Sequence, residues 1–210
     1  MIEIIEMSRR LYDRGWLASA DGNLSFRKNA DEILITPSGR PKAFIQESEL
    51  AVITPDNQIL KGNPSGERLM HLEVYKKCPQ AKAVIHAHPP TAIALSIAKP
   101  DWRELPKEAL SELILSCGSI PIVPYARPGT LEMGTALLPY LPQSRLMILA
   151  RHGALTWGET LEEAYFGMER LEHTCVILGK ALSMGALSFL PEEEVHYLKQ
   201  LRMKLGERVL

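Results

Sequence analysis

The chain has little of what marks a protein for the cell exterior, a membrane or a nucleic acid. Its 210 residues hold three cysteines, Cys78, Cys117 and Cys175, an odd number without the close paired spacing of a zinc knuckle. They read as buried or free thiols, and they argue against a disulfide framework. No apolar run is long enough to span a bilayer. The stretch from Met1 to Arg10 carries Glu3, Glu6, Arg9 and Arg10 in a helical pattern where a secretory leader would be apolar. A formal net charge of −1 offers no field for a nucleic acid or a membrane surface. The expectation is a cytoplasmic protein with neither as a partner. Repeats, low-complexity tracts and linkers are missing too, so a single domain over residues 1–210 is expected.

Short, well-punctuated elements are what the chain does have. Ile4, Ser8, Leu11 and Tyr12 share one side of a first helix that Gly15 would close. Strands follow at Leu24 to Arg27 and Glu32 to Thr36, then a hairpin of Leu50 to Thr54 and Ile59 to Lys61 around Pro55-Asp56-Asn57. A helix opens at Ser65-Gly66 and reaches Lys77, a strand covers Ala83 to His88, and a short helix runs from Thr91 to Lys99. Lys107 to Cys117 reads as helix, Ile120 to Tyr125 as strand, Thr130 to Tyr140 as a helix capped by Thr130, and Leu146 to Ala150 as a buried strand. Thr160 and Glu163 make a capping box for a long helix that Gly185 stops, with Leu161, Ala164, Tyr165, Met168, Leu171, Cys175, Leu178 and Leu182 at core spacing. Pro191 sits in the first turn of a last helix.

The chemistry concentrates at His86 and His88, which end the apolar run Ala83-Val84-Ile85 and precede Pro89-Pro90. Side chains two apart on a strand project from one face, so both imidazoles would meet at one point. His152, where the second buried run breaks, is the expected third ligand. Three neutral nitrogens leave one position open on a zinc-like ion, the pattern of a catalytic site. His71, His173 and His196, taken singly, read as ordinary hydrogen-bonded side chains. Glu67, four residues before His71 on one helix face, complements the helix dipole and beside a metal becomes a candidate base. The turns around Asn23, around Ser38 and Gly39, and at Ser65 and Gly66 offer amides and hydroxyls of the kind that hold a phosphate without formal charge.

Five segments carry a resemblance: Gly22-Asn23-Leu24-Ser25, Thr36-Pro37-Ser38-Gly39, Pro64-Ser65-Gly66-Glu67 with His71, Val84-Ile85-His86-Ala87-His88, and Arg151-His152-Gly153. In order and spacing they resemble the class II aldolase/adducin family over about residues 1 to 182, most of all its branch that cleaves L-fuculose 1-phosphate. The resemblance implies an α/β fold of three layers, α/β/α, around a central, largely antiparallel sheet. It also implies a fourfold-symmetric homotetramer with active sites between subunits. His86, His88 and His152 would bind Zn2+, and Glu67 would be the acid/base and touch the resting metal. Asn23, Ser38, Gly39, Ser65 and Gly66 would hold the phosphate of a phosphorylated sugar. The expected activity is a zinc-dependent aldolase, a lyase cleaving a ketose 1-phosphate to dihydroxyacetone phosphate and an aldehyde. A site of three histidines with a nearby carboxylate also accepts iron, cobalt or manganese.

Two departures stand out. Gly66 replaces a second serine of the phosphate turn, and no tyrosine lies between Asp101 and Cys117, where that branch keeps a proton donor; Tyr125 and Tyr197 are the candidates left. Within the family the alternatives are a methylthioribulose-1-phosphate dehydratase and a ribulose-phosphate 4-epimerase, the latter resembling this segment with Asp in the place of Glu67. A non-catalytic binding module like the adducin head would have no chemical use for the three histidines and Glu67.

Overall fold

A computed structural model describes residues 2–206; Met1 of the first-helix reading and residues 207–210 of the expected domain lie outside the described residues. The first helix, α1 (Ile2–Asp13), ends ahead of Gly15, whose φ of +74° suits a residue without Cβ. Ile4, Ser8 and Leu11 are buried as expected, whereas Tyr12 is 42% exposed and packs edge-on to Phe44.

Eight strands make one sheet: β1 (Asn23–Arg27), β2 (Ile33–Ile35), β3 (Ala51–Ile53), β4 (Ile59–Lys61), β5 (Ala83–Ala87), β6 (Ile122–Val123), β7 (Leu146–Leu149) and β8 (Gly153–Gly158). They lie in the order β4-β3-β2-β1-β5-β8-β7-β6, every neighbouring pair antiparallel except β6 with β7. The helices are α2 (Arg68–Lys77), α3 (Pro90–Ala98), α4 (Leu131–Thr135), α5 (Leu161–Met184) and α6 (Glu192–Leu205).

The sheet is apolar on both faces, which is why β5 reads as an unbroken buried run. One face sends Ile85, Ala87, Ile148 and Ala154 against Leu11 of α1, Leu95 of α3, and Met168 and Leu171 of α5. The other sends Val84, Met147, Leu155 and Trp157 against Met70 and Val74 of α2 and Met133 of α4. The three-layer α/β/α arrangement around a largely antiparallel sheet therefore stands. Cys78, Cys117 and Cys175 are buried free thiols. No helix among the described residues is long and apolar enough to cross a membrane.

Several elements differ from the sequence reading. Strand β8, which fills the sheet between β5 and β7, was not foreseen. Lys107 to Cys117 is a 3-10 turn at Lys107–Ala109 followed by a π-helical turn at Leu113–Cys117, because Gly118 leaves the helix at φ +74° and the π turn closes on it. The Thr130 to Tyr140 helix is shortened to α4 plus a 3-10 turn at Leu138–Tyr140, where Pro139 lacks the N–H a continued helix needs. Thr130 donates its hydroxyl to the Arg127 carbonyl instead of capping. Helix α2 begins one residue after Glu67, and Pro191 precedes α6. Thr160 does cap α5, accepting from the Glu163 N–H at 3.0 Å, while the Glu163 carboxylate accepts from the backbone of Glu159, one residue outside the expected box.

Candidate metal and acid/base site

The register of β5 with β1 and β8 assembles the site. Asn23 stands directly across from His86 in the β1–β5 pair, and β8 begins at Gly153, immediately after His152. Arg151, at φ +61°, turns the chain from β7 into β8 and delivers His152 to the end of β5. His86 lies inside β5 and His88 just past it, where its N–H leaves the ladder for the Trp16 carbonyl at 2.8 Å.

The three imidazoles form a nearly equilateral cluster. Ring centroids of His86, His88 and His152 are 4.9, 4.8 and 5.0 Å apart, with interplanar angles of 65° to 68°. One nitrogen from each lies within 4.8 Å of the others. His86 Nε2 and His88 Nε2 are 3.1 Å apart. Nitrogens at about 2.0 to 2.1 Å around a tetrahedral ion would be roughly 3.3 Å apart, so the donor set fits one divalent transition metal.

The outer nitrogens are held as ligands require. His86 Nδ1 donates to the Ala154 carbonyl at 2.9 Å, leaving the Nε2 lone pair free. His88 Nδ1 lies 3.3 Å from the Asp21 carboxylate. Burial drives the His86 pKa down to about 3, and burial also lowers that of His88. Both rings are therefore neutral near pH 7, the form that binds a metal.

Glu67 closes the fourth side. Its carboxylate oxygens lie 3.3 Å from His152 Nε2 and 3.4 Å from His86 Nε2. Burial pushes its carboxyl pKa up, but hydrogen bonding to His152, the neighbouring imidazoles and the Asn23 amide outweigh burial and hold it well below the usual carboxylate range. It is thus ionised, and placed to touch an ion or to take a proton from something bound there.

The turns expected to hold a phosphate meet beside it. The Ser38 N–H donates to the Asn63 carbonyl at 2.9 Å, the Ser65 N–H to the Thr36 carbonyl at 3.2 Å, and the Leu24 N–H to the Thr36 hydroxyl at 3.1 Å. Asn23, Ser38, Gly39, Ser65 and Gly66 are thereby joined into one rim. Since the Ser38 and Ser65 amides are used in holding it, the Gly39 and Gly66 amides and the serine hydroxyls are the donors left for an anion. Tyr125 and Tyr197, at 60% and 58% exposure, make no hydrogen bond to the cluster among the described residues.

Three participants escaped the sequence reading. Asp21 sits in a tight turn whose Gly22, at φ +68°, has the His86 carbonyl oxygen 2.8 Å from where a Cβ would fall. Lys42, only 3% exposed, donates its ammonium to the carbonyls of Ala20 and Arg40 at 2.5 and 2.9 Å and ties that turn to the segment of Ser38 and Gly39. Glu172 of α5 accepts from the Thr91 and Ala92 N–H groups, both at 2.9 Å, and so anchors the start of α3 behind His88. A turn aspartate, a lysine and a helix glutamate each have a commonplace surface role, and no local signal separates these three from it.

Comparison with known proteins agrees with the geometry. The family described as Class II Aldolase and Adducin N-terminal domain matches residues 2–178. The chain is 35% identical over 170 residues to L-fuculose phosphate aldolase of Methanococcus vannielii, covering 81% of this chain and 90% of that one. It is 32% identical over 178 residues to 3-oxo-tetronate 4-phosphate decarboxylase of Escherichia coli O6:H1, covering 84% of each. Among solved structures, an L-fuculose 1-phosphate aldolase superposes with a TM-score of 0.84 at 28% identity, covering 95% of this chain and 94% of that one. The chain belongs to the class II aldolase and adducin family.

Proposed function

We propose that the protein is a metal-dependent carbon–carbon lyase acting on a phosphorylated sugar, with zinc on His86, His88 and His152. The observation that carries this reading is the ionised Glu67 carboxylate set 3.3 to 3.4 Å from two of three converging imidazole nitrogens. A bound divalent metal would supply a Lewis acid that draws electron density from a substrate carbonyl. The chain's own residues do the rest. The rim of Ser38, Gly39, Ser65 and Gly66 binds the phosphate through amides and hydroxyls. Glu67 holds or moves the proton exchanged at the reacting carbon or its hydroxyl. Burial of His86 and Asn23 limits water at the reacting end.

The leading reaction is cleavage of a ketose 1-phosphate such as L-fuculose 1-phosphate to dihydroxyacetone phosphate and an aldehyde. The 32% identical decarboxylase supports a second reading. A 3-oxo-tetronate 4-phosphate that loses its carboxylate as carbon dioxide and takes a proton in its place also leaves dihydroxyacetone phosphate, so both reactions break the bond between the carbons alpha and beta to a ketone and call for the same groups. A homotetramer belongs to the same proposal, and light scattering giving a monomer at micromolar concentration would remove it.

Assay of the zinc-loaded protein with both substrates, following dihydroxyacetone phosphate, separates the readings. Release from the ketose phosphate supports the aldolase, whereas release from the oxo acid alone would replace it with the decarboxylase. A folded, metal-loaded protein that releases it from no member of a panel of phosphorylated ketoses and oxo acids would overturn the lyase reading.

A further inference from the structure

Behind Glu67 runs a file of buried polar side chains that, beyond Asn23, the proposed chemistry leaves unused. Asn23 Nδ2 donates to Glu67 Oε2 at 2.8 Å, and Asn23 Oδ1 lies 2.5 Å from His71 Nε2. Beyond the ring, His71 Nδ1 is 2.7 Å from Ser25 Oγ, which is 2.8 Å from the Tyr75 hydroxyl. Asn23, Ser25, His71 and Tyr75 are each at most 3% exposed. Asn23 and Ser25 are two apart on β1 and share its face, while His71 and Tyr75 are four apart on α2 and share its side, so strand and helix interleave the four groups.

The direction of every bond follows from one end. The Asn23 amide turns its NH2 toward Glu67 Oε2 and its oxygen toward His71 Nε2. An amide oxygen only accepts, so the proton of the ring must be on His71 Nε2. Burial pushes the His71 pKa down to about 4 against the raising effect of Glu67, so near pH 7 the ring is neutral and Nδ1 is a bare acceptor. The Ser25 hydroxyl then donates to Nδ1, and Tyr75 donates to Ser25 or to the Lys82 carbonyl at 3.3 Å.

We propose that His71 is a positioning residue, whose Nε2–H locks the Asn23 amide so that its NH2 faces Glu67 and holds that carboxylate toward the histidine cluster. A consequence for recognition follows. With its oxygen engaged, Asn23 meets a ligand only as a donor, through its second N–H, and selects a substrate oxygen that carries no proton. The inference rests on the acid/base reading of Glu67. A core histidine that merely fills space would leave the Asn23 oxygen without a donor and the Glu67 contact alone to orient the amide.

The experiment has two arms. Long-range proton–nitrogen spectra of the zinc-loaded protein labelled with 15N-histidine should show His71, identified by the signal lost in His71→Gln, as a neutral ring protonated at Nε2 alone near pH 7. A ring protonated at Nδ1, or at both nitrogens, overturns the proposal. In the second arm His71→Leu fills the space but donates nothing, whereas the amide of His71→Gln can still donate to Asn23. On whichever of the two substrates the wild type turns over, His71→Leu should lose about 10- to 100-fold in kcat at unchanged zinc content. His71→Gln should regain most of it. Equal kcat in the two variants overturns the positioning role. A wild type that turns over no member of the panel of phosphorylated ketoses and oxo acids overturns the reading of Glu67 on which the proposal rests, and the ring spectrum still decides the hydrogen-bond polarity. That spectrum is recorded on the wild type, so it decides even if His71→Leu does not fold.

Discussion

Gly153 lies flat against the ring of His86: a Cβ built on it would stand 2.9 Å from His86 Cε1, 2.9 Å from His88 Cδ2 and 2.5 Å from the Ala87 carbonyl oxygen. Space alone imposes the glycine, since two imidazole rings and the backbone of β5 occupy the place a side chain would take. The Ala87 oxygen belongs to the β5 backbone and cannot swing aside like a flexible side-chain tip. Gly153→Ala should therefore cost about 1 to 3 kcal/mol of stability and spread the histidine cluster. Denaturant unfolding and zinc titration against a competing chelator would check it, with both midpoint and affinity expected to fall. Unchanged zinc affinity would show that the rings are not confined by this contact.

Asp21 is expected to act through His88. Its carboxylate, 3.3 Å from Nδ1, orients that ring and favours the tautomer whose Nε2 faces the other nitrogens. Asp21→Ala should weaken zinc binding by about 10- to 100-fold without unfolding the protein, because the aspartate side chain is 52% exposed and leaves no cavity. Chelator competition reads the affinity, and circular dichroism reads the fold. A wild-type affinity would reduce Asp21 to a turn former.

How much of this was legible follows from where each signal resides. The central strand β5 was readable because burial on both faces leaves an apolar run, and a His-x-His at its end breaks that run in a way packing does not require. Strand β8 was not readable, because Gly153 and Gly158 at its ends and Ala154 within it have weak strand preference and are held by pairing with β5 and β7. The alternation of Leu155 and Trp157 toward one face was the signal available. The Lys107 to Cys117 stretch has helical composition, yet its path answers to Gly118, where a Cβ would stand 2.7 Å from the Arg202 side chain of α6. The three converging histidines and Glu67 are legible through motif order, whereas Asp21, Lys42 and Glu172 act through contacts that only the folded chain creates.

Burial of His71 gives a pH dependence of stability with a definite sign. An unfolded histidine takes up a proton as pH falls through about 6.5, while the folded ring resists until about pH 4. Between those values the unfolded state binds more protons, so stability falls as pH drops and recovers as it rises. The full window corresponds to about 3 kcal/mol. Unfolding of metal-free protein at pH 7 and pH 5 should show a larger loss for the wild type than for His71→Gln, the difference isolating this ring from the other histidines. Parallel pH dependence in the two proteins would mean that His71 protonates in the folded state as readily as in the unfolded one.

The proposed chemistry depends most on Glu67. Glu67→Gln keeps the size of the side chain and the acceptor for Asn23 but removes the base, so the rate should fall by roughly 10²- to 10⁴-fold if Glu67 handles the proton. Folding should survive, because the residue precedes α2 and makes no side-chain cap to it. Zinc content should stay near one per chain, since the three imidazoles remain, although affinity should drop if the carboxylate touches the resting ion. The competing role is a carboxylate at a helix N-terminus, worth about 0.3 to 1 kcal/mol through the dipole. In that role the substitution would lower stability slightly and leave turnover alone. Steady-state kinetics on zinc-loaded Glu67→Gln, with metal content and unfolding measured on the same sample, distinguishes the two. Full turnover in a folded, zinc-loaded variant would assign Glu67 to the helix and move the proton transfer to another group.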